Sequence, residues 1–247
     1  GQSVLAISGN NFVRIFETTS PATLSIDGLT LANGQAPASS GGGAIRSSGD
    51  LTVTNSIIEN CRAGNGINFD PDEADRRAGS GGAILHIASF GSLTLIDVLL
   101  RNNHAGTDGT APTVGAPTAA GGSGGAILAS TNATMTLTDC IIEQNSAGDG
   151  ASGLSTPTEG GNGSWGGSGG GIWTSRGTLL LTRCRIRGNS AGAGGQGGNS
   201  TNGTGPAGDG GLGGHGGALN FESAMTCNDC DLSYNQAGTS GLGGSGN

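Results

Sequence analysis

Five cysteines, three histidines and one knot of carboxylates are the side chains of this 247-residue chain best suited to chemistry. Cys227 and Cys230 form a Cys-x-x-Cys, a spacing used by redox dithiols and by one half of many zinc sites. No second Cys/His pair stands at ligand spacing, which argues against zinc. Asp70, Asp72, Glu73 and Asp75 set four oxygen donors within six residues, enough to consider Ca²⁺. Their spacing is not that of an EF-hand, and Arg76 and Arg77 follow at once. A solvated, self-neutralised loop is the simpler reading. His86, His104 and His215 lie far apart with no triad visible around them. Trp165, Trp173, Tyr234 and five Phe are too few and too scattered for the aromatic platforms of a glycan-cleaving groove. No catalytic residue is assigned, and no cofactor is expected beyond this weak Ca²⁺ candidate.

What must hold these residues is a chain with 53 glycines, 3 % aromatics and 11 % charged residues. Collagen is excluded, because the glycines keep no chain-long period of three and there are only 7 prolines. No run of 18 apolar residues exists, so no transmembrane helix is expected. No segment keeps a long helical apolar period. The net charge is −8, and every basic residue is Arg. That balance argues against a nucleic-acid partner, whose phosphates would repel it.

A repeat of 39–47 residues organises the chain. Gly-Gly-Ala-Ile stands at 42–45, 81–84 and 124–127, with variants at 169–172 and 216–219. Each is followed by a short alternating run, such as LTVTNS from Leu51 or LTLIDV from Leu93. Each run leads to an Ile/Leu-x-x-Asn step: Ile57 to Asn60, Leu100 to Asn103, Ile142 to Asn145, Ile186 to Asn189 and Leu232 to Asn235. Ala-Gly then follows, at Ala63, Ala105, Ala147, Ala191 and Ala237. A degenerate repeat runs from Thr23 to Ala36. Aligned on that Ala, one column holds Leu24, Leu51, Leu93, Met135, Leu179 and Met225. Others hold Ile26, Val53, Leu95, Leu137, Leu181 and Cys227, or Leu31, Ile58, Leu100, Ile142, Ile186 and Leu232. Polar columns alternate with them, the period of a strand with one buried face. One repeat cannot bury that face alone, so the repeats must stack.

The expectation is an all-β chain: a right-handed, single-stranded parallel β-helix of about six rungs, forming one domain over 1–247. Its repeats are 23–41, 42–80, 81–123, 124–168, 169–215 and 216–247. The Gly-Gly-Ala column suits a corner where torsion or close stacking excludes side chains. Asparagine tolerates the left-handed conformation, so the recurrent Asn suits a second corner. Insertions at 65–80, 107–123, 149–168 and 193–215 leave one corner and lengthen steadily. They read either as flexible surface loops or as an ordered layer of extended segments packed through glycine faces. The steady lengthening favours the second.

The same alignment re-reads the chemistry. Cys140, Cys184 and Cys230 share one column, and Cys227 joins an apolar one, as buried thiols acting as small hydrophobes do. Adjacent rungs lie about 4.8 Å apart, so a Cys140–Cys184 or Cys184–Cys230 disulfide could close. Cys61 falls in the Asn-corner column, apart from the others. Glu59, Arg101, Glu143 and Arg187 alternate in sign along a column, as do Asp139, Arg183 and Asp229, and Arg185 neighbours Asp231. These read as inter-rung ion ladders that set register. Thr52, Thr94, Thr136 and Thr226 make a threonine array, which raises ice binding, but Ile96, Leu180 and Asn228 interrupt it and its neighbour. Asn132, Asn162, Asn199 and Asn202 head glycosylation sequons, three of them in the insertions.

Gly-Gly-Ala-Ile paired with apolar-x-x-Asn resembles the repeats of chlamydial polymorphic outer membrane proteins, although Ile or Leu stands where those carry Phe. The stretch ISGNNFVRIFETTSPATLSIDGLTLANG from Ile7, followed by GGAI and LTVTNSIIEN, is similar to bacterial extracellular right-handed β-helix proteins of the CSLREA-domain type. The resemblance implies secretion or surface display, with adhesion or scaffolding as the role. The chain opens at Gly1 without Met or signal peptide, as a processed form or fragment would. Neither end shows a capping helix, so head-to-tail stacking is expected, residues 216–236 pairing with 3–16 of a neighbour. The function expected is a non-catalytic structural subunit or adhesin of an extracellular or cell-surface filament. Its partners would be other copies of itself, and surface glycans or other cells. A β-helical polysaccharide lyase or glycosidase is the alternative, and an ice-binding solenoid a further one.

Overall fold

A computed structural model describes residues 5–68, 77–110, 113–115, 119–132 and 134–246. Asp70, Asp72, Glu73 and Asp75 lie outside the described residues. The described chain is all-β, without helices, and its strands form two wholly parallel sheets of eleven and six strands. No helix among the described residues is long and apolar enough to cross a membrane.

The larger sheet takes the alternating runs. Its strands are β1 (Leu5–Ser8), β3 (Leu24–Asp27), β4 (Leu29–Ala32), β6 (Leu51–Glu59), β8 (Leu93–Arg101), β10 (Thr134–Thr138), β11 (Ile141–Glu143), β13 (Thr178–Thr182), β14 (Arg185–Arg187), β16 (Ala224–Asn228) and β17 (Asp231–Ser233). The smaller sheet takes the residues after Gly-Gly-Ala: β2 (Phe16–Thr18), β5 (Ile45–Ser47), β7 (Ile84–His86), β9 (Ile127–Ala129), β12 (Ile172–Thr174) and β15 (Leu219–Phe221). The sequence columns are the observed registers. Leu24, Leu51, Leu93, Met135, Leu179 and Met225 pair in succession. So do Phe16, Ile45, Ile84, Ile127, Ile172 and Leu219.

Both sheets turn these columns toward one core. Leu51, Val53, Ile58, Ile84, Leu93, Leu95, Leu100, Ile127 and Leu137 are fully buried. A buried Leu or Ile contributes roughly 1.5–3 kcal/mol, so a chain with few aromatics can still hold a continuous core. Alanine of the Gly-Gly-Ala step enters the same core at Ala44, Ala83 and Ala126.

Three left-handed positions bend each repeat. Gly42, Gly81, Gly124, Gly169 and Gly216 take φ of 64–73°. A second set, Gly28, Asn55, Asp97, Asp139, Arg183 and Asp229, kinks the alternating run into two legs. The third is Asn33, Asn60, Asn102, Gln144, Gly188 and Tyr234. Asn60 takes the left-handed corner expected of the recurrent asparagine, but the other four correct that expectation. Asn103, Asn145, Asn189 and Asn235 are not left-handed; each follows the left-handed residue by one. They have a different task, because at this corner the chain turns inward, burying Asn103, Asn145 and Asn189 and half-burying Asn235.

Candidate functional site

The buried asparagines form a ladder. Asn103 is fully buried, and its amide N–H and Nδ2 both donate to Asn145 Oδ1, at 2.9 and 3.0 Å. Asn145 repeats this toward Asn189, and Asn189 toward Asn235. Each Nδ2 also donates to a carbonyl of the preceding repeat, Ile58, Leu100, Ile142 or Ile186. Every inward amide is thereby satisfied, which a buried polar group requires. Cys61 ends the ladder: its N–H donates to Asn103 Oδ1, and its Sγ accepts from Gly34 N–H. Burial pushes the Cys61 thiol up to about 12, so it is inert as a nucleophile.

Beyond this corner the described residues of the insertions are ordered. Outgoing and returning segments run antiparallel to each other and are cross-bonded through glycine. One unbroken series links Gly79 N–H to Gly64 O, then Gly106 to Gly79, Gly122 to Gly106, Gly148 to Gly122, Gly167 to Gly148, Gly192 to Gly167, Gly214 to Gly192 and Gly238 to Gly214, all at 2.8–2.9 Å. Three residues farther out a second series joins Ala151, Ser164, Gly195, Gly211 and Gly241. Three residues beyond that a third joins Leu154, Gly161, Gly198, Gly208 and Gly244. Three residues per turn is the polyproline II period, and such segments have no internal hydrogen bonds. Their backbone groups must therefore bond to neighbours, as they do here.

Space, not torsion, demands glycine at most of these positions. A Cβ on Gly148 would stand 1.7 Å from Gly106 O, and one on Gly192 would stand 1.8 Å from Gly148 O. Positions facing outward follow a second rule. Their side chains accept the N–H of the segment above: Asn65 from Thr107, Asp149 from Ala193, Ser155 from Asn199, Asn162 from Asp209, Ser168 from His215 and Gln196 from Leu242. That selects Asn, Asp, Ser and Gln for the outer surface. Of the two expected arrangements, the ordered layer is the one found over the described residues of the insertions; 69–76, 111–112 and 116–118 lie outside them.

The other anticipated residues lie around this frame. Arg101 pairs with Glu59 at 2.7 Å and Arg187 with Glu143 at 2.8 Å. Among the described residues no ion pair joins Arg101 to Glu143, so that column is two pairs rather than a continuous ladder. Arg183 grips Asp139 with two bonds, at 2.6 and 2.7 Å, and holds its carboxyl below the ordinary value. Arg185 reaches Asp231 only at 4.0 Å. Sequence reasoning missed Arg14. Its largely buried side chain bonds Glu17, Gly41 O and Gly42 O, tying the first residues to the glycine corner.

All five thiols are free; Cys140 and Cys184 are buried as expected, whereas Cys227 is exposed. The histidines do not converge. His86 is buried, with Nε2 on Gly91 O, whereas His104 Nδ1 meets Ser146 Oγ. Burial lowers the pKa of both, and among the described residues His86 Nδ1 has no hydrogen-bond partner. Among the described residues no group of three or more His, Cys, Asp or Glu could hold a metal ion. Thr52, Thr94 and Thr136 stack in register as the array anticipated, but Leu180 breaks it.

Asn132, Asn162, Asn199 and Asn202 are all exposed. Asn162 and Asn199 use Oδ1 to accept backbone N–H groups. Trp173, in the middle of β12, is half-buried; Trp165 stands 60 % exposed on the returning face of the flank, with Leu212 beyond it. Beside Trp165 lies a cavity of about 470 Å³ lined by Arg77, Ser80 and Ala120 among others. Chemically, this surface offers hydrogen-bonding side chains and one exposed indole on a rigid backing. No family model, curated protein or solved structure matches this chain.

Proposed function

We propose that this chain is a non-catalytic structural subunit or adhesin of an extracellular or cell-surface filament. Its repeats act as successive rungs of a right-handed parallel β-solenoid of about six rungs. The observation that carries the reading is the continuity of bonding from repeat to repeat. Two parallel sheets, an asparagine ladder and the glycine flank all bond in the same stacking direction. Such a body resists bending and shear, and its flank presents polar side chains and Trp165 at fixed spacing. The resemblance to extracellular β-helix proteins of the CSLREA-domain type supports surface display.

Among the described residues the outer strands have one unpaired edge at each end, β1, β2 and β3 at one and β15, β16 and β17 at the other. Either more chain or another molecule can pair there. Head-to-tail stacking of copies into a filament is the association we propose through these edges. Sedimentation and electron microscopy of the purified chain test this. Filaments, or oligomers that grow with concentration, are expected. A monodisperse monomer at high concentration would contradict stacking. Release of products from a panel of acidic polysaccharides would contradict the non-catalytic reading.

A further inference from the structure

The two legs of the larger sheet present different outward faces. After the kink, outward positions are ion-paired, Glu59 with Arg101 and Glu143 with Arg187. Before the kink, β6, β8, β10, β13 and β16 stack in one unslipped parallel register and carry two outward columns without a charge. One column is Thr52, Thr94, Thr136, Leu180 and Thr226; the other is Thr54, Ile96, Thr138, Thr182 and Asn228. Leu180 interrupts the first column, but Thr182 keeps a hydroxyl at that repeat, as Thr94 does beside Ile96. Asp27 of β3 bounds the face, and Thr54 Oγ1 donates to its Oδ1 at 2.6 Å. Among the described residues the other six threonine hydroxyls bond to no protein group and none is buried without a partner, so solvent reaches them. Threonine is stiff at χ1, which fixes the array in advance. Its spacing is about 4.8 Å from repeat to repeat and about 6.6 Å along each strand.

We propose that this threonine face binds the surface of ice. A two-dimensional grid of neutral hydroxyl and methyl groups is matched by a ligand that is itself a repeating solid. A mineral surface is ionic and calls for carboxylates, and these two columns hold none. A crystalline polysaccharide calls for aromatic platforms, but Trp173 lies in β12 of the smaller sheet and Trp165 on the flank. Ice is a neutral lattice of hydrogen-bond donors and acceptors, and a hydroxyl can join it in either sense. The threonine methyls, Ile96 and Leu180 bind no water, so the waters between the hydroxyls bond to one another as they do in the lattice. Each contact is weak, but the threonines are already held in place, so little ordering opposes their sum. This activity goes beyond the structural role proposed above. The face is complete within one chain and does not depend on stacking.

The test is slow growth of ice in a solution of the purified chain, with thermal hysteresis measured on single crystals. The chain is expected to enter the ice instead of being excluded with other solutes, and to shape and arrest the crystals. Thr94→Tyr and Thr136→Tyr each set a bulky ring within the array while suiting an outer strand position. Each should lose most of the hysteresis while the protein melts at an unchanged temperature. Thr239→Tyr, at an exposed position of the flank, should keep it. If one array variant fails to fold, the other carries the comparison. Exclusion of the unaltered chain from ice would overturn the proposal without either. So would undiminished hysteresis in a folded Thr136→Tyr or Thr94→Tyr chain. Retention on microcrystalline cellulose or chitin of a chain that ice excludes would also overturn it, and would make the ligand a polysaccharide.

Discussion

Asn102 and Asn103 are adjacent, chemically identical and do opposite work. Asn102 is a left-handed residue at φ 53°, where glycine is at least as comfortable. Asn103 is a fully buried rung of the amide ladder. Asn102→Gly should change unfolding free energy by less than about 0.5 kcal/mol. Asn103→Ala strands Cys61 N–H and Ile58 O and should cost about 3 kcal/mol, read from urea midpoints. Alignment showed that asparagine recurs, but both its tasks favour the same residue type. The neighbouring column, with Asn33, Asn60 and Gly188, held the signal that separates them, since glycine can serve the left-handed task and not the ladder. A second residue-scale outcome concerns pH. His86 and His104 have lowered pKa values in the folded chain, against an ordinary 6.5. Below pH 6.5 the unfolded chain therefore binds more protons than the folded one, and stability falls as pH drops through and below that value. Thermal melts between pH 7.5 and 5 check this, and in His86→Gln the acid-side loss should shrink.

Strands and insertions differed in how far the sequence exposed them. The strand registers were legible, because alternation and repeat together leave one way to stack Leu51 on Leu93 and Met135. The kink at Asp139 or Arg183 was not, since charged residues there satisfied an ion-pair reading instead. In the flank, glycine recurs at intervals of three against one neighbouring segment, with Ala151, Leu154 and Ser164 also standing in those series, and a second neighbour imposes its own series. The two overlap, so no single period of three stands out across the chain. This yields a sharp contrast between substitutions. Gly148→Ala places a Cβ against backbone and should destabilise by about 1–3 kcal/mol, or more. Gly243→Ala, whose Cβ would lie 3.7 Å from its nearest neighbour, should stay within about 0.5 kcal/mol of the parent. Differential scanning calorimetry of the two variants distinguishes an ordered flank from tethered loops, for which both would be neutral.

On the scale of the whole molecule, the hydrophobic core and the glycine flank share one corner and one direction of stacking. The corner that buries the asparagine ladder is the corner from which each insertion leaves. Loss of either should therefore weaken the other, and the proposed mechanical role depends on that union. What no sequence feature displayed is the continuous bonding between outgoing and returning segments, because each bond joins residues in different turns of one insertion or in different repeats. Native-state amide hydrogen exchange tests this union most directly. The account predicts that the amides of Gly106, Gly122, Gly148, Gly167, Gly192 and Gly214 exchange slowly, protected nearly as well as those of β8 and β13. Exchange of those six glycines at the rate of an unstructured chain, with the strands still protected, would contradict it.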